Sequence, residues 1–211
     1  MKSLLIKEFY NIKDTMKTNI LIMLVLSVFS VIKNGSAAIM PITVIGMSTL
    51  IVPSMRAEKE KDWNKFELTM PINRKEIVAS KYILYLILCL MGLALGAIVN
   101  VCGMAFSQLS SFDNIDIYLY ISMIIALVSG SVLIPLVYKL GVDKSETLSL
   151  VCYSIPIATL VGLLLYLKER IHTLETISHL RLWLILILVV IFVIFLISGV
   201  VSYKIYKKKQ F

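Results

Sequence analysis

Six stretches of this 211-residue chain, at about 18–32, 37–55, 82–107, 117–138, 147–167 and 182–203, contain no Asp, Glu, Lys, Arg or His. A hydrocarbon core about 30 Å thick takes roughly 20 helical residues to cross. Five of the stretches reach that length or nearly so, and the first is the shortest. The runs are continuously apolar rather than alternating, so they read as helices and not as strands of a barrel. With 59% hydrophobic and only 16% charged residues, the chain could not cover itself with polar groups in water. Soluble globular, disordered, collagen-like and disulfide-scaffold architectures are thereby excluded. The three cysteines, Cys89, Cys102 and Cys152, all fall within apolar runs and read as buried thiols.

The formal net charge of +8 does not point to nucleic acid, because the positive charge follows the membrane pattern. Lys and Arg concentrate on the cytoplasmic side of bilayers. If the N-terminus is inside, all 21 Lys and Arg fall inside except Lys33, Lys168, Arg170 and Arg181. Both termini are therefore expected in the cytoplasm. A secretory signal peptide ending near Gly35–Ala38 is the competing reading of the N-terminus. Glu8 and Asp14 in a long leader argue against it, as does the inverted charge bias that cleavage would leave.

Outside the spans three segments carry pattern. Over residues 1–17, Leu5, Phe9 and Ile12 recur at helical spacing, which predicts an amphipathic helix in the headgroup plane with its lysines toward anionic lipid; the alternative is a solvated basic tail. The inner loop, 56–81, has no helix breaker before Pro71, and Trp63, Phe66 and Met70 form one stripe on an otherwise charged helix. Asn73, three residues before Glu76, resembles a capping box that restarts a helix. Two readings of Trp63 stand together: packing on the protein's own inner surface, or anchoring in a partner's pocket. The outer segment, 168–181, repeats Ile171, Leu174 and Ile177 and predicts a short helix dipping into the outer leaflet. Its His172 and His179 are too far apart for a shared site on one helical turn and read as solvated.

Much chemistry is absent. There is no phosphate loop of the G-x-x-x-x-G-K-[ST] type and no H-E-x-x-H. No span carries the ionisable group that a proton-coupled transporter would use. An enzyme and a carboxylate-based antiporter are both disfavoured, and no metal site is expected. What remains within the spans is small and mildly polar: Thr43, Ser48 and Thr49 in the second, Ser154 and Thr159 in the fifth. Each hydroxyl has a bland reading, bonding its own helix's carbonyls. Together they are candidates to line a wide, weakly polar path.

The segment E-K-D-W-N-K-F-E-L-T-M-P-I-N-R-K-E-I-V-A-S-K-Y, 60–82, resembles the corresponding inner-loop segment of ABC type-2 exporter permeases. It is most similar to the small six-span bacterial subgroup of phenol-soluble modulin and bacteriocin exporter permeases. The resemblance extends over the whole chain. It implies an all-α integral membrane protein of type-V exporter fold, with an interfacial helix (1–17) and a six-helix transmembrane domain (18–211). It also implies a coupling helix that docks on a separate ATPase subunit. Trp63, Phe66 and Met70 would then be the docking stripe, with Glu58, Glu60 and Arg74 as polar contacts at its rim. This chain would bind no cofactor, ATP and magnesium belonging to the partner ATPase. A second permease, identical or related, would complete the membrane part, and amphipathic or antimicrobial peptides would be the cargo. Two other functions stay open: a non-exporting immunity or sensor subunit for such peptides, and a channel or facilitator needing no ATPase.

Overall fold

The computed structural model describes residues 2–32, 39–60, 74–106, 115–168 and 175–208. Among them the elements are α1 (Lys2–Ile32), α2 (Ile39–Ser48), α3 (Ile51–Glu60), α4 (Arg74–Phe106), α5 (Ile115–Leu140), a 3₁₀ turn (Val142–Lys144), α6 (Ser145–Lys168) and α7 (Glu175–Lys208). Every described element is helical. Four described segments are long and apolar enough to cross a membrane: Ile39–Glu58, Lys75–Cys102, Asp116–Leu140 and Leu182–Lys208.

The first helix has no internal boundary. Nothing from Lys2 to Ile32 is Gly or Pro, so no residue breaks the ladder where charged sequence gives way to apolar sequence. The 31 residues extend about 46 Å, at 1.5 Å per residue. At the other end of the chain, α7 runs unbroken from Glu175 through 34 residues, so the second half of the outer segment begins that helix. Residues 169–174 lie outside the described residues.

The second apolar run does break, between α2 and α3. Pro53 has no N–H for the Thr49 carbonyl, and its ring crowds that oxygen. Val52 N donates to Thr49 O at 3.1 Å and Leu50 N to Met47 O at 3.2 Å, so tighter three-residue bonds replace the α ladder locally. This frees the Gly46 carbonyl, which a buried backbone cannot leave unpaired. Asn19 of α1 donates Nδ2 to it at 2.7 Å, and Thr49 Oγ1 donates at 2.8 Å.

α2 occupies the middle of the bundle, packed against α4 and α5, while α5 also packs on α6 and α7. The α2–α4 approach depends on Gly92 and Gly96, four residues apart on one face of α4. A Cβ on Gly92 would lie 2.7 Å from Val44 Cα, and one on Gly96 would lie 2.6 Å from Thr43 Oγ1. Small residues at this spacing let helices pack closely in a bilayer, where burial from water supplies no drive between them. Cys89 and Cys152 are buried, but Cys102 is exposed on the surface of α4, contrary to the expectation for that thiol. An apolar run facing lipid has no inward or outward side that composition alone distinguishes.

Candidate functional site

The ends of α3, α5 and α7 and the starts of α1, α4 and α6 form the lysine-rich end of the bundle, where the inner loop departs and returns. Four ionisable side chains meet there. Lys81 of α4 donates to Glu8 Oε2 of α1 at 2.6 Å and to Glu58 Oε2 of α3 at 2.8 Å. Lys7 donates to the other Glu58 oxygen at 2.7 Å and lies 4.0 Å from Glu8 Oε1. Ser54 Oγ donates to Glu8 Oε2 at 2.5 Å and accepts from Lys81 at 3.0 Å. Two ammonium groups thus face two carboxylates. Lys81 and Glu8 each have side chains only 1% exposed.

Burial on this scale is tolerated only when charges are paired and hydrogen-bonded. Even so, desolvation pushes the Glu8 carboxyl up to about 7; Lys81 pulls it down by less, and the adjacent Glu58 adds to the rise.

The cluster closes the base of the inner loop, since Glu58 and Lys81 stand at its two ends. It also joins α1 to that base through Glu8. Arg56 adds an exposed pair with Glu146 in the first turn of α6, at 2.5 Å. From Lys81 onward, successive residues of α4 reach different helices. Tyr82 OH bonds Ser198 and Ser202 of α7 at 2.9 and 2.7 Å. Tyr85 OH donates to Ala126 O of α5 at 2.5 Å and lies 3.3 Å from Tyr153 OH of α6. Tyr153 in turn donates to Ser48 of α2 at 2.9 Å. The first turns of α4 are therefore connected by polar contacts to every other helix of the bundle.

The residues singled out in the sequence fall in three places. Glu58 is buried, and both its oxygens are engaged within the chain. Glu60 and Arg74 are the last residue of α3 and the first of α4; Trp63, Phe66 and Met70 lie outside the described residues. Thr43 and Ser48 are buried, and Thr43 bonds the carbonyls of Ile39 and Met40. Ser48 bonds Ile45 O, and Thr49 sits at the break between α2 and α3. Ser154 and Thr159 are exposed on α6 and bond carbonyls of their own helix. Within one chain these five hydroxyls do not share a surface. Among the described residues no group of His, Cys, Asp and Glu could hold a metal ion.

Glu8, Lys81, Ser54 and the three tyrosines were not singled out, yet two of them left a signal. Glu8 lies three residues after Leu5 and four before Ile12, on the apolar stripe itself. Lys81 falls on the face of Ile77, Val78, Leu84 and Tyr85, all buried. A charge on an apolar helical face implies a buried partner, and two such charges of opposite sign suggest each other.

The chain matches, over residues 3–207, the family model described as ABC-2 family transporter protein. No curated protein and no solved structure matches it. The chain belongs to the ABC-2 transporter family. It is a membrane-embedded permease component of an ABC transporter, a transport subunit rather than an enzyme, and its family implies an ATPase partner.

Proposed function

From membership of that family we propose that the chain is the six-span half of an ATP-driven exporter, with both termini cytoplasmic, that moves amphipathic or antimicrobial peptides or similar lipophilic compounds outward. The observation that carries this reading is the buried Glu58–Lys81 pair, 2.8 Å apart, at the base of the inner loop. A loop clamped at its base passes displacement into the bundle; a loop on slack ends would absorb it. ATP and magnesium belong to the partner ATPase, and Trp63, Phe66 and Met70 dock on that subunit with Glu60 and Arg74 at the rim. Glu58 works from behind this surface. Movement of the loop carries α3 and α4 together, takes α1 with them through Glu8, and spreads from α4 through Tyr82 and Tyr85.

A second permease packs against the exposed face of α6. The path then runs past Ser154 and Thr159, while Thr43, Ser48 and Thr49 support it from behind. Hydroxyls without charge suit cargo that enters from lipid, because they neither trap an ion nor demand one. The test is co-purification of the tagged permease with its ATPase from a gentle detergent extract, beside the Trp63→Ala variant. Retention of the ATPase by the native chain and its loss from the variant, with membrane insertion unchanged, supports the docking role. Equal ATPase retention and equal ATPase stimulation by both would refute it.

A further inference from the structure

An apolar groove of about 580 Å³ runs between α4 and α7 at the lysine-rich end, with Lys75 and Tyr203 at its mouth and Leu86 and Leu196 at its deep end. We propose that this groove is a binding site for an anionic phospholipid of the leaflet on that side, with one acyl chain in the groove and the phosphate on Lys75.

The dimensions point to a lipid. From Lys75 to Leu86 is eleven residues of helix, about 16 Å at 1.5 Å per residue. One leaflet of a bilayer core about 30 Å thick is about 15 Å deep. The groove is therefore one leaflet deep, and its lining is almost wholly apolar.

The charge points to an anion. Lys75 is exposed, its ammonium 5.7 Å from the centroid of the Tyr203 ring, and no carboxylate lines the groove. Lys75 also lies in the first turn of α4, beside Glu76, where the helix dipole favours an anion. Lys204 and Lys208, exposed near the end of α7, add to the positive field at the mouth.

Gly199 lies in the wall of the groove and adds no side chain to fill it. A Cβ there would meet only the Tyr82 ring, at 3.8 Å, which is ordinary contact. Gly199→Ala is therefore tolerated, whereas Gly199→Leu fills the space without disturbing the backbone. Tyr82 forms the inner wall while its hydroxyl bonds Ser198 and Ser202, so a chain lying in the groove would pack against one of the residues that link α4 to α7.

The full chain, reconstituted in phosphatidylcholine vesicles, tests this with a photoactivatable group at the acyl end of either phosphatidylglycerol or phosphatidylcholine, and cross-linked residues mapped by mass. The expected result is labelling around Leu86 and Leu196 several-fold stronger from phosphatidylglycerol. Lys75→Gln should bring the two lipids to equal yield. Gly199→Leu should abolish groove labelling while Gly199→Ala keeps it, with labelling of the exposed face of α1 at Leu21 and Val25 unchanged in both. Equal labelling by the two lipids in the native chain, or full groove labelling in Gly199→Leu, would overturn the proposal.

Discussion

Replacing Lys81 by Met tests whether the ion cluster holds the lysine-rich end of the bundle together. The ammonium has two carboxylate partners, at 2.6 and 2.8 Å, in a site where its own side chain is 1% exposed. Met preserves most of the volume and removes the charge, so the cavity term is small. What remains is two buried carboxylates with Lys7 as their one cation among the described residues of the cluster, close to Glu58 but 4.0 Å from Glu8. Removing one partner of a buried pair costs about 3–5 kcal/mol, chiefly because the other charge is stranded. Protonation of Glu8 limits the loss, which sets the expectation at the lower end, about 3 kcal/mol. That corresponds to a shift of roughly a hundredfold in the folded-to-unfolded ratio. The assay is reversible unfolding of the purified chain in mixed micelles, followed by helical circular dichroism. Lys81→Met combined with Glu8→Gln should recover at least about 1 kcal/mol relative to the single change, since neighbours in one network do not add. A loss below about 0.5 kcal/mol for Lys81→Met, or strict additivity in the double variant, would show that the cluster does not carry this load.

Other outcomes follow from the same contacts. The Glu8 carboxyl is raised from 4.5 to about 7, so the folded chain holds a proton that the unfolded chain has released. The contribution of Glu8 to stability is therefore full below about pH 4.5 and is lost as pH rises through about 7, whereas Glu58, held against its own desolvation down to about 2 by Lys81 and Lys7, contributes stability that is lost as pH falls below about 4.5; Glu8→Gln should flatten the unfolding profile between about pH 4.5 and 7. Arg56→Ala should change stability by less than about 1 kcal/mol, because the pair with Glu146 is exposed and screened, and a larger loss in the same unfolding assay would contradict this. Gly96→Leu should force α2 from α4, since its Cβ alone would lie 2.6 Å from Thr43 Oγ1; overpacking costs about 1–3 kcal/mol or more, measurable as earlier thermal unfolding in detergent. Trp63→Ala should leave this unfolding midpoint unchanged while ATPase stimulation in the assembled transporter is lost.

Solvent and helicity were legible in residue order. Continuous apolar runs leave a backbone one economical solution in lipid, internal hydrogen bonding within a helix, and Pro53 stands just after the place where that ladder breaks. The inner-loop segment, 60–82, likewise resembled the right family before any fold was known. Both kinds of signal are local: a run length, a missing N–H, a short motif.

Partnership is not local. Glu8, Glu58 and Lys81 are separated by 50 residues and by 23; the apolar faces that carry Glu8 and Lys81 call for buried partners, but nothing local says that Glu58 joins them. Only when α1, α3 and α4 meet at one end of the bundle do the three become a paired, buried set. For the same reason Glu58 read as a rim contact: spacing places it beside the docking stripe, but helix rotation turns it inward to Lys81 and Lys7. The hydroxyls of α2 and α6 divide in the same way, Ser48 buried against Tyr153 and Ser154 exposed one residue further along. Periodicity tells which residues share a face of a helix. Which neighbour that face meets depends on packing between helices, set here by Gly92 and Gly96 of α4 and the break at Thr49–Leu50.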